Sequence, residues 1–278
     1  MIQTSDTTSP QQGIVQWIAR MGAVSAQALA VREGTTPASA SGRLAALKRK
    51  RWLSARRVLA GGPTLYTVTA AGMRASSLRG LDPCRVSNSN AAHLATCAEV
   101  AAQLERRYPD HRVLGERELR RDERECGAVL ASARLSGMSA DGGPKLHRPD
   151  LVLWPREQAG AGCRAGDRGL DHESGGPEPE LESEFEAEPE FEARPEFEPE
   201  FEPRPEFEPL PVAVEVELTV KGPERLAGIC LAWARCRTVA GVLYLAPPEV
   251  QRALQRAITR AQAQEQIVVL GLDALCEQ

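Results

Sequence analysis

The sequence predicts an α/β domain with a mixed sheet, preceded by a smaller domain of three helices and a β-hairpin. Residues 212–221, Val-Ala-Val-Glu-Val-Glu-Leu-Thr-Val-Lys, alternate with the period of two that is typical of a strand. Helix and strand patterns then interleave from residue 91 to residue 275, as they do in α/β proteins. Residues 1–80 carry 11 lysines and arginines against 2 acids, a balance of +9 in a chain whose net charge is −4.

The first domain is predicted from helix start signals and from one turn. Apolar residues at helical spacing predict a helix over residues 11–20, and a serine N-cap predicts a second over residues 26–32. Thr36-Pro37, an N-cap followed by proline, opens a third helix that continues to about residue 50. Two strand patterns flank a Gly-Gly-Pro turn and predict a hairpin over residues 52–68. Residues 1–10 are predicted to be a disordered tail.

This order resembles the winged helix-turn-helix domain of bacterial DNA-binding regulators over residues 11–80. The resemblance is carried by the basic third helix, by Trp-Leu entering the hairpin and by Tyr-Thr-Val-Thr-Ala-Ala-Gly leaving it. It implies that the third helix enters the major groove of duplex DNA with its N-terminal end first. The residues implied to contact bases are Ser39, Ser41 and Arg43. The residues implied to contact the DNA backbone are Lys48, Arg49, Lys50 and Arg51, while Arg56 and Arg57 are implied to contact phosphates or the minor groove. The alternative is a winged helix that mediates only protein contacts.

The second domain is predicted from the patterns that follow a linker over residues 81–90. They are a helix over 91–107, a strand over 111–114, a charged segment from 116, a loop over 127–143, a strand over 147–154, the strand over 212–221, a helix over 224–235, a strand over 238–245, a helix to about 264 and a strand over 266–270. The domain therefore comprises residues 91–154 and 211–278.

The two halves of this domain are separated by an acidic insertion over residues 155–210. Residues 173–208 contain 15 glutamates against two arginines, and Pro-Glu-Phe-Glu units recur there. Proline opposes regular structure and the density of like charge opposes collapse, so the insertion is predicted to be disordered. It is either an expanded repeat without a dedicated role or a mimic of nucleic acid that competes for the basic domain.

Three carboxylates are predicted to meet on the sheet. On the strand over residues 212–221, Glu215 and Glu217 share one face and stand about 7 Å apart. Asp150 begins the neighbouring strand pattern. Acidic groups that converge in this way suggest a divalent metal site, because like charges repel unless a cation or a basic partner offsets them. The alternative is a solvated or arginine-paired face without metal, with the arginine partners Arg117, Arg120 and Arg148.

The order of elements around these carboxylates resembles the PD-(D/E)xK nuclease core. Pro149-Asp150 matches its first motif element and Glu215-Val216-Glu217 its second, with Glu217 where the family usually has lysine. The resemblance implies Mg²⁺ held by Asp150 and Glu215, with Glu217 or Lys221 acting on the attacking water. Glu116 or Glu118 would supply a further acid.

Together, "R-P-D-L-V", "V-E-V-E-L-T-x-K" and the preceding winged helix resemble the replication-relaxation family of plasmids and integrative elements. The resemblance implies a double-stranded DNA-binding protein of a mobile element that acts in replication-relaxation or mobilisation, with a nuclease-like second domain whose activity it leaves open. One alternative is an active Mg²⁺-dependent endodeoxyribonuclease. Another is a winged-helix transcriptional regulator whose second domain forms a homodimer or binds a partner.

Cysteine usage and hydropathy restrict the cellular setting. The seven cysteines form no CxxC pair, which argues against a zinc knuckle and against a disulfide framework. The N-terminus lacks an apolar signal core, and no run approaches the ~20 apolar residues that a membrane span needs. A cytoplasmic protein without membrane contact is therefore expected.

Overall fold

A computed structural model describes residues 9–139, 142–156 and 209–275 of the 278-residue chain. The predictions for the N-terminal tail and for the acidic insertion fall mostly on residues 1–8 and 157–208, which lie outside the described residues. At the ends of these two ranges the structure differs from the prediction, since Pro10 begins α1 and Pro155 ends β7.

The N-terminal part contains the predicted helices and hairpin, together with a two-residue strand that was not predicted and a short helix after the hairpin. Its elements are α1 (Pro10–Met21), β1 (Ala23–Val24), α2 (Ala26–Glu33), α3 (Pro37–Arg49), β2 (Leu53–Arg56), β3 (Leu65–Val68) and α4 (Ala70–Ala75). The three strands form an antiparallel sheet in the order β1-β3-β2. Ser25, Thr36 and Thr69 cap α2, α3 and α4 by accepting a backbone N–H, which explains why each helix begins where it does.

The C-terminal part is the predicted mixed-sheet α/β arrangement. Its elements are α5 (Ala91–Arg107), β4 (His111–Gly115), α6 (Glu116–Cys126), β5 (Ala133–Met138), β6 (Pro144–His147), β7 (Leu151–Pro155), β8 (Val212–Val216), α7 (Pro223–Ala234), β9 (Gly241–Leu245), α8 (Pro248–Ala261), β10 (Ile267–Leu270) and a 3₁₀ turn (Leu272–Leu275). The five-stranded sheet has the order β10-β9-β8-β7-β4. The pairs β4–β7 and β7–β8 are antiparallel, whereas β8–β9 and β9–β10 are parallel.

Three strand boundaries differ from the prediction. β8 ends at Val216, so Glu217 and Lys221 lie beyond the strand. Val220, which was expected on a buried face, is 58% exposed. The pattern over residues 147–154 divides into the end of β6 and most of β7, with Pro149 and Asp150 between them. Part of the predicted loop over residues 127–143 is β5, because its residues pair with β6.

The sheet is covered on both faces. α5 and the N-terminal helices cover one face through a core that includes Val214 and Val216. α7 and α8 cover the other through a core that includes Ala213 and Trp233. The face of β8 that was expected to be polar is therefore buried as well. The predicted linker separates the two parts in sequence but not in packing, since the first of these cores combines residues of α1–α3 with residues of α5.

A buried carboxylate joins α1 to the second part of the chain. Glu118 of α6 is fully buried, and its Oε1 lies 3.3 Å from Arg20 Nε of α1 and 3.5 Å from Arg121 Nη2. Arg112 of β4 donates to the same oxygen. Glu118, named above as a candidate further acid, therefore forms an ion cluster between elements.

Within the described residues, no helix combines the length and apolar character that crossing a membrane requires.

Candidate functional site

A cleft of about 350 Å³ lies where the start of β7, the end of β8 and the first turn of α5 meet. The pairing of Leu151 with Val214 places Asp150 opposite Glu215, one residue further along the ladder. All four of the residues that were predicted to be catalytic line this cleft: Asp150, Glu215, Glu217 and Lys221. His93 of α5 and His147 of β6 also line it.

Both oxygens of Asp150 have partners. Oδ2 accepts the backbone N–H of Val216 at 2.8 Å, which fixes the carboxylate against the end of β8. Oδ1 lies 2.9 Å from His93 Nε2. The hydrogen bond to Asp150 raises the pKa of His93 above its ordinary value of 6.5, and partial burial of the ring opposes this effect. Asp150 therefore holds His93 in place and favours its charged form.

Glu215 points away from His93, towards the helices on the other face of the sheet. Its Oε1 accepts the indole N–H of Trp233 at 3.2 Å, and His147 Nε2 lies 2.7 Å from the same oxygen. Burial raises the pKa of Glu215 above 4.5, and the nearby His147 opposes that shift. Glu215 is 4% exposed, so little of it is available to a ligand in the cleft.

Glu217 and Lys221 form an ion pair with each other just after β8. Lys221 was expected to act on the attacking water at the metal site. Its ammonium instead pairs with the carboxylate of Glu217, four residues earlier. Arg148 contacts Glu123 at 2.9 Å, Arg120 pairs with Glu116 and Arg117 donates to the Asp82 carbonyl oxygen. The three carboxylates are thus offset by His93, His147 and Lys221, and not by the arginines that the sequence suggested.

This arrangement does not fit Mg²⁺. The ion prefers near-octahedral oxygen coordination at about 2.0–2.1 Å. Here Asp150, Glu215 and Glu217 each face a different basic side chain. Nor do their oxygens form a group in which all ligand atoms lie within 4.8 Å of one another among the described residues. The implied Mg²⁺ site on Asp150 and Glu215 is therefore not supported by the donor atoms of the cleft.

A different set of ligand atoms does converge. The Nε2 of His93, the Sγ of Cys97 and an oxygen of Asp150 all lie within 4.8 Å of one another. His93 and Cys97 are four residues apart on α5 and so share one face of the helix. Neither residue was predicted from the sequence. The His-x-x-x-Cys spacing on a predicted helix was the available signal, but its link to Asp150 needs the tertiary fold.

These three side chains are not arranged as a nucleophilic triad. In such a triad the two ring nitrogens of histidine have different partners. Here both Cys97 Sγ, at 3.5 Å, and Asp150 Oδ1, at 2.9 Å, lie next to the same atom, His93 Nε2. Burial raises the pKa of Cys97 well above its ordinary value of 9.0, which keeps the thiol protonated and weakly nucleophilic.

The predicted DNA-contacting residues lie on α3, on the turn that follows it and on the hairpin. Ser39 is exposed, Ser41 is half-buried, and the half-buried Arg43 pairs with Glu33 of α2. Lys50 donates to Gln11 and stands over the Trp52 ring. Among these predicted contact residues, six exposed basic side chains form no ion pair within the described part of the chain: Lys48, Arg49, Lys50, Arg51, Arg56 and Arg57.

Comparison of the chain with protein-family models, with curated proteins and with solved structures finds no match. The function is therefore inferred from the chemistry and positions of the residues themselves.

Proposed function

We propose that this chain binds double-stranded DNA through α3 and the β2–β3 hairpin, as a protein of a mobile element of the replication-relaxation type. The observation that carries the proposal is the exposed basic surface formed by six residues. We name it the α3–hairpin surface, and it consists of Lys48, Arg49, Lys50, Arg51, Arg56 and Arg57. Glu33 is the one acidic residue between residues 9 and 80, and it already pairs with Arg43.

The form of the N-terminal part supports this proposal. Three helices are followed by a hairpin, and a short strand between the first two helices completes the small antiparallel sheet, which is the order of winged helix-turn-helix domains. In that arrangement the third helix and the hairpin both face the duplex. Exposed lysines and arginines without acidic partners are free to neutralise phosphates, and the counterions released on binding drive association.

For the second part we propose a nuclease-like domain without Mg²⁺-dependent cleavage activity. The order α5, β4, the antiparallel pair β7–β8, α7 and the parallel strand β9 supports the nuclease-like interpretation, with α6 and the β5–β6 pair inserted after β4. The contacts of Asp150, Glu215 and Glu217 support the absence of cleavage, because each carboxylate already contacts a basic side chain of the protein. A supercoiled plasmid should therefore stay intact when it is incubated with the full chain and Mg²⁺ or Mn²⁺.

The DNA-binding proposal is tested by neutralising part of the α3–hairpin surface. The variant R49Q/R56Q/R57Q preserves the fold because it keeps two residues with structural roles. These are Arg51, whose φ is 60°, and Lys50, which packs on Trp52. Affinity for a duplex oligonucleotide is measured by fluorescence anisotropy at several salt concentrations. The slope of log K against log salt should fall in magnitude by about 2.7, because each phosphate contact contributes about 0.9.

The matched control is R235Q/R237Q/R252Q, which removes the same charge from exposed arginines of the second part. This control should bind with the wild-type affinity and salt slope. Equal losses in both triple variants would show that binding follows net charge and not the α3–hairpin surface. A wild-type chain that binds duplex DNA without salt dependence would refute the proposal, and so would one that does not bind it at all.

A further inference from the structure

We propose that His93, Cys97 and Asp150 form a binding site for a borderline-soft divalent transition metal, of which Zn²⁺ is the best fit. The proposal concerns the second part of the chain and does not depend on DNA binding. It assigns a ligand to the cleft whose oxygens do not suit Mg²⁺. A nitrogen, a sulfur and a carboxylate oxygen are the donor atoms that proteins use for Zn²⁺.

The spacing of the donor atoms agrees with tetrahedral coordination. With Zn–S of about 2.3 Å and Zn–N of about 2.05 Å, two tetrahedral ligands stand about 3.6 Å apart. The observed separation of Cys97 Sγ and His93 Nε2 is 3.5 Å. A nitrogen and an oxygen ligand would stand about 3.3 Å apart, and His93 Nε2 and Asp150 Oδ1 are separated by 2.9 Å. Small side-chain rotations would therefore admit the ion.

The same atom of His93 faces both of the other donor atoms, and a single linear hydrogen bond explains only one of these contacts. An imidazole nitrogen carries at most one proton, so a linear hydrogen bond from it reaches Asp150 or Cys97 but not both. A metal ion in place of that proton would contact all three atoms at once. When it binds, Cys97 Sγ loses its proton to the buffer and the Zn–S bond forms.

The surroundings of the three donors supply what a metal site needs beyond its ligands. The Val216 N–H donates to Asp150 Oδ2 at 2.8 Å, which fixes the carboxylate with Oδ1 directed at His93. His93 is partly exposed on the cleft side, whereas Cys97 is buried. With three protein ligands, the fourth position is open to water or to a ligand that enters the cleft.

The test is a titration of the full-length, metal-free chain with Co²⁺ as a spectroscopic substitute for Zn²⁺. The expected result is one equivalent of Co²⁺ with a sulfur-to-metal charge-transfer band in the near ultraviolet. The band should be lost in C97S and weakened in H93Q. It should persist in C236S, the matched control, because Cys236 contacts Thr238 and the Ser132 carbonyl oxygen, away from the cleft. One equivalent of Zn²⁺ should remove the band, whereas a large excess of Mg²⁺ should not.

Circular dichroism and duplex-DNA binding of C97S and H93Q serve to separate loss of the ligand from loss of the fold. Variants that stay folded and bind DNA but lose the band support the site. A wild-type chain without the band refutes the proposal, and so does a band that survives in folded C97S. If DNA binding fails while the band behaves as expected, the proposed function is wrong and the metal site stands.

Discussion

Replacing Glu118 with glutamine should destabilise the whole chain, because this carboxylate links α1 to α6 and β4. Its Oε1 contacts Arg20, Arg112 and Arg121, while the carboxylate is 1% exposed. The E118Q change keeps an acceptor at Oε1 and removes the charge. No hydrogen-bond partner of the other oxygen, Oε2, is found within the described residues, so the new amide group displaces no existing donor there.

The size of the effect follows from the burial of the partners. Removing one member of a buried ion pair typically costs about 3–5 kcal/mol. The three arginine side chains are 16–34% exposed, so water screens part of the lost attraction. Arg121 also keeps Asp122 at 2.6 Å. We therefore expect a loss of about 2 kcal/mol in the free energy of unfolding.

Urea unfolding followed by circular dichroism measures this loss, with E116Q as the control. Glu116 lies two residues earlier on α6, its carboxylate is 41% exposed, and within the described residues its ion pair is the i,i+4 contact with Arg120. Such a surface pair contributes about 0.3–0.5 kcal/mol. Equal losses in E118Q and E116Q would show that the buried cluster adds nothing, and would refute the reasoning. Both parts of the chain should unfold in one transition, because they share one core.

Two further predictions concern the N-terminal packing and the cleft. The G72A variant should lose about 1–3 kcal/mol in the free energy of unfolding, because its Cβ would lie 2.2 Å from the Trp52 carbonyl oxygen. The G13A variant, whose Cβ would have nothing within 4 Å, should gain about 0.5–1 kcal/mol in the same urea assay. In the metal-free chain, NMR titration should give His93 a pKa above 6.5 that falls in D150N, with Glu217 raising it and Lys221 lowering it. The pKa of His93 is higher in the folded chain than in the unfolded one. The stability that the His93–Asp150 pair contributes is therefore fully present below pH 6.5 and is lost as pH rises through the folded pKa. An unchanged pKa of His93 in D150N would contradict this prediction.

Periodicity and capping signals predicted most of the elements. Thr36-Pro37 predicted the start of α3, and the alternation at residues 212–216 predicted β8, because both signals act within a few residues of chain. They could not predict the end of β8, because the alternation continues through Val220 after pairing with β7 and β9 has stopped. β1 was also missed, since two residues are too few to show a period.

The sequence by itself determined which groups are available: a basic N-terminal part, and three carboxylates near two strands of a mixed sheet. Only the tertiary structure decided what these carboxylates face. Glu215 turns to Trp233 and His147 because its face of β8 is covered by α7, and Asp150 turns to His93 because α5 packs on the opposite face. Such partners lie 18 to 68 residues away in the chain, and chain packing, not local pattern, brings them into contact.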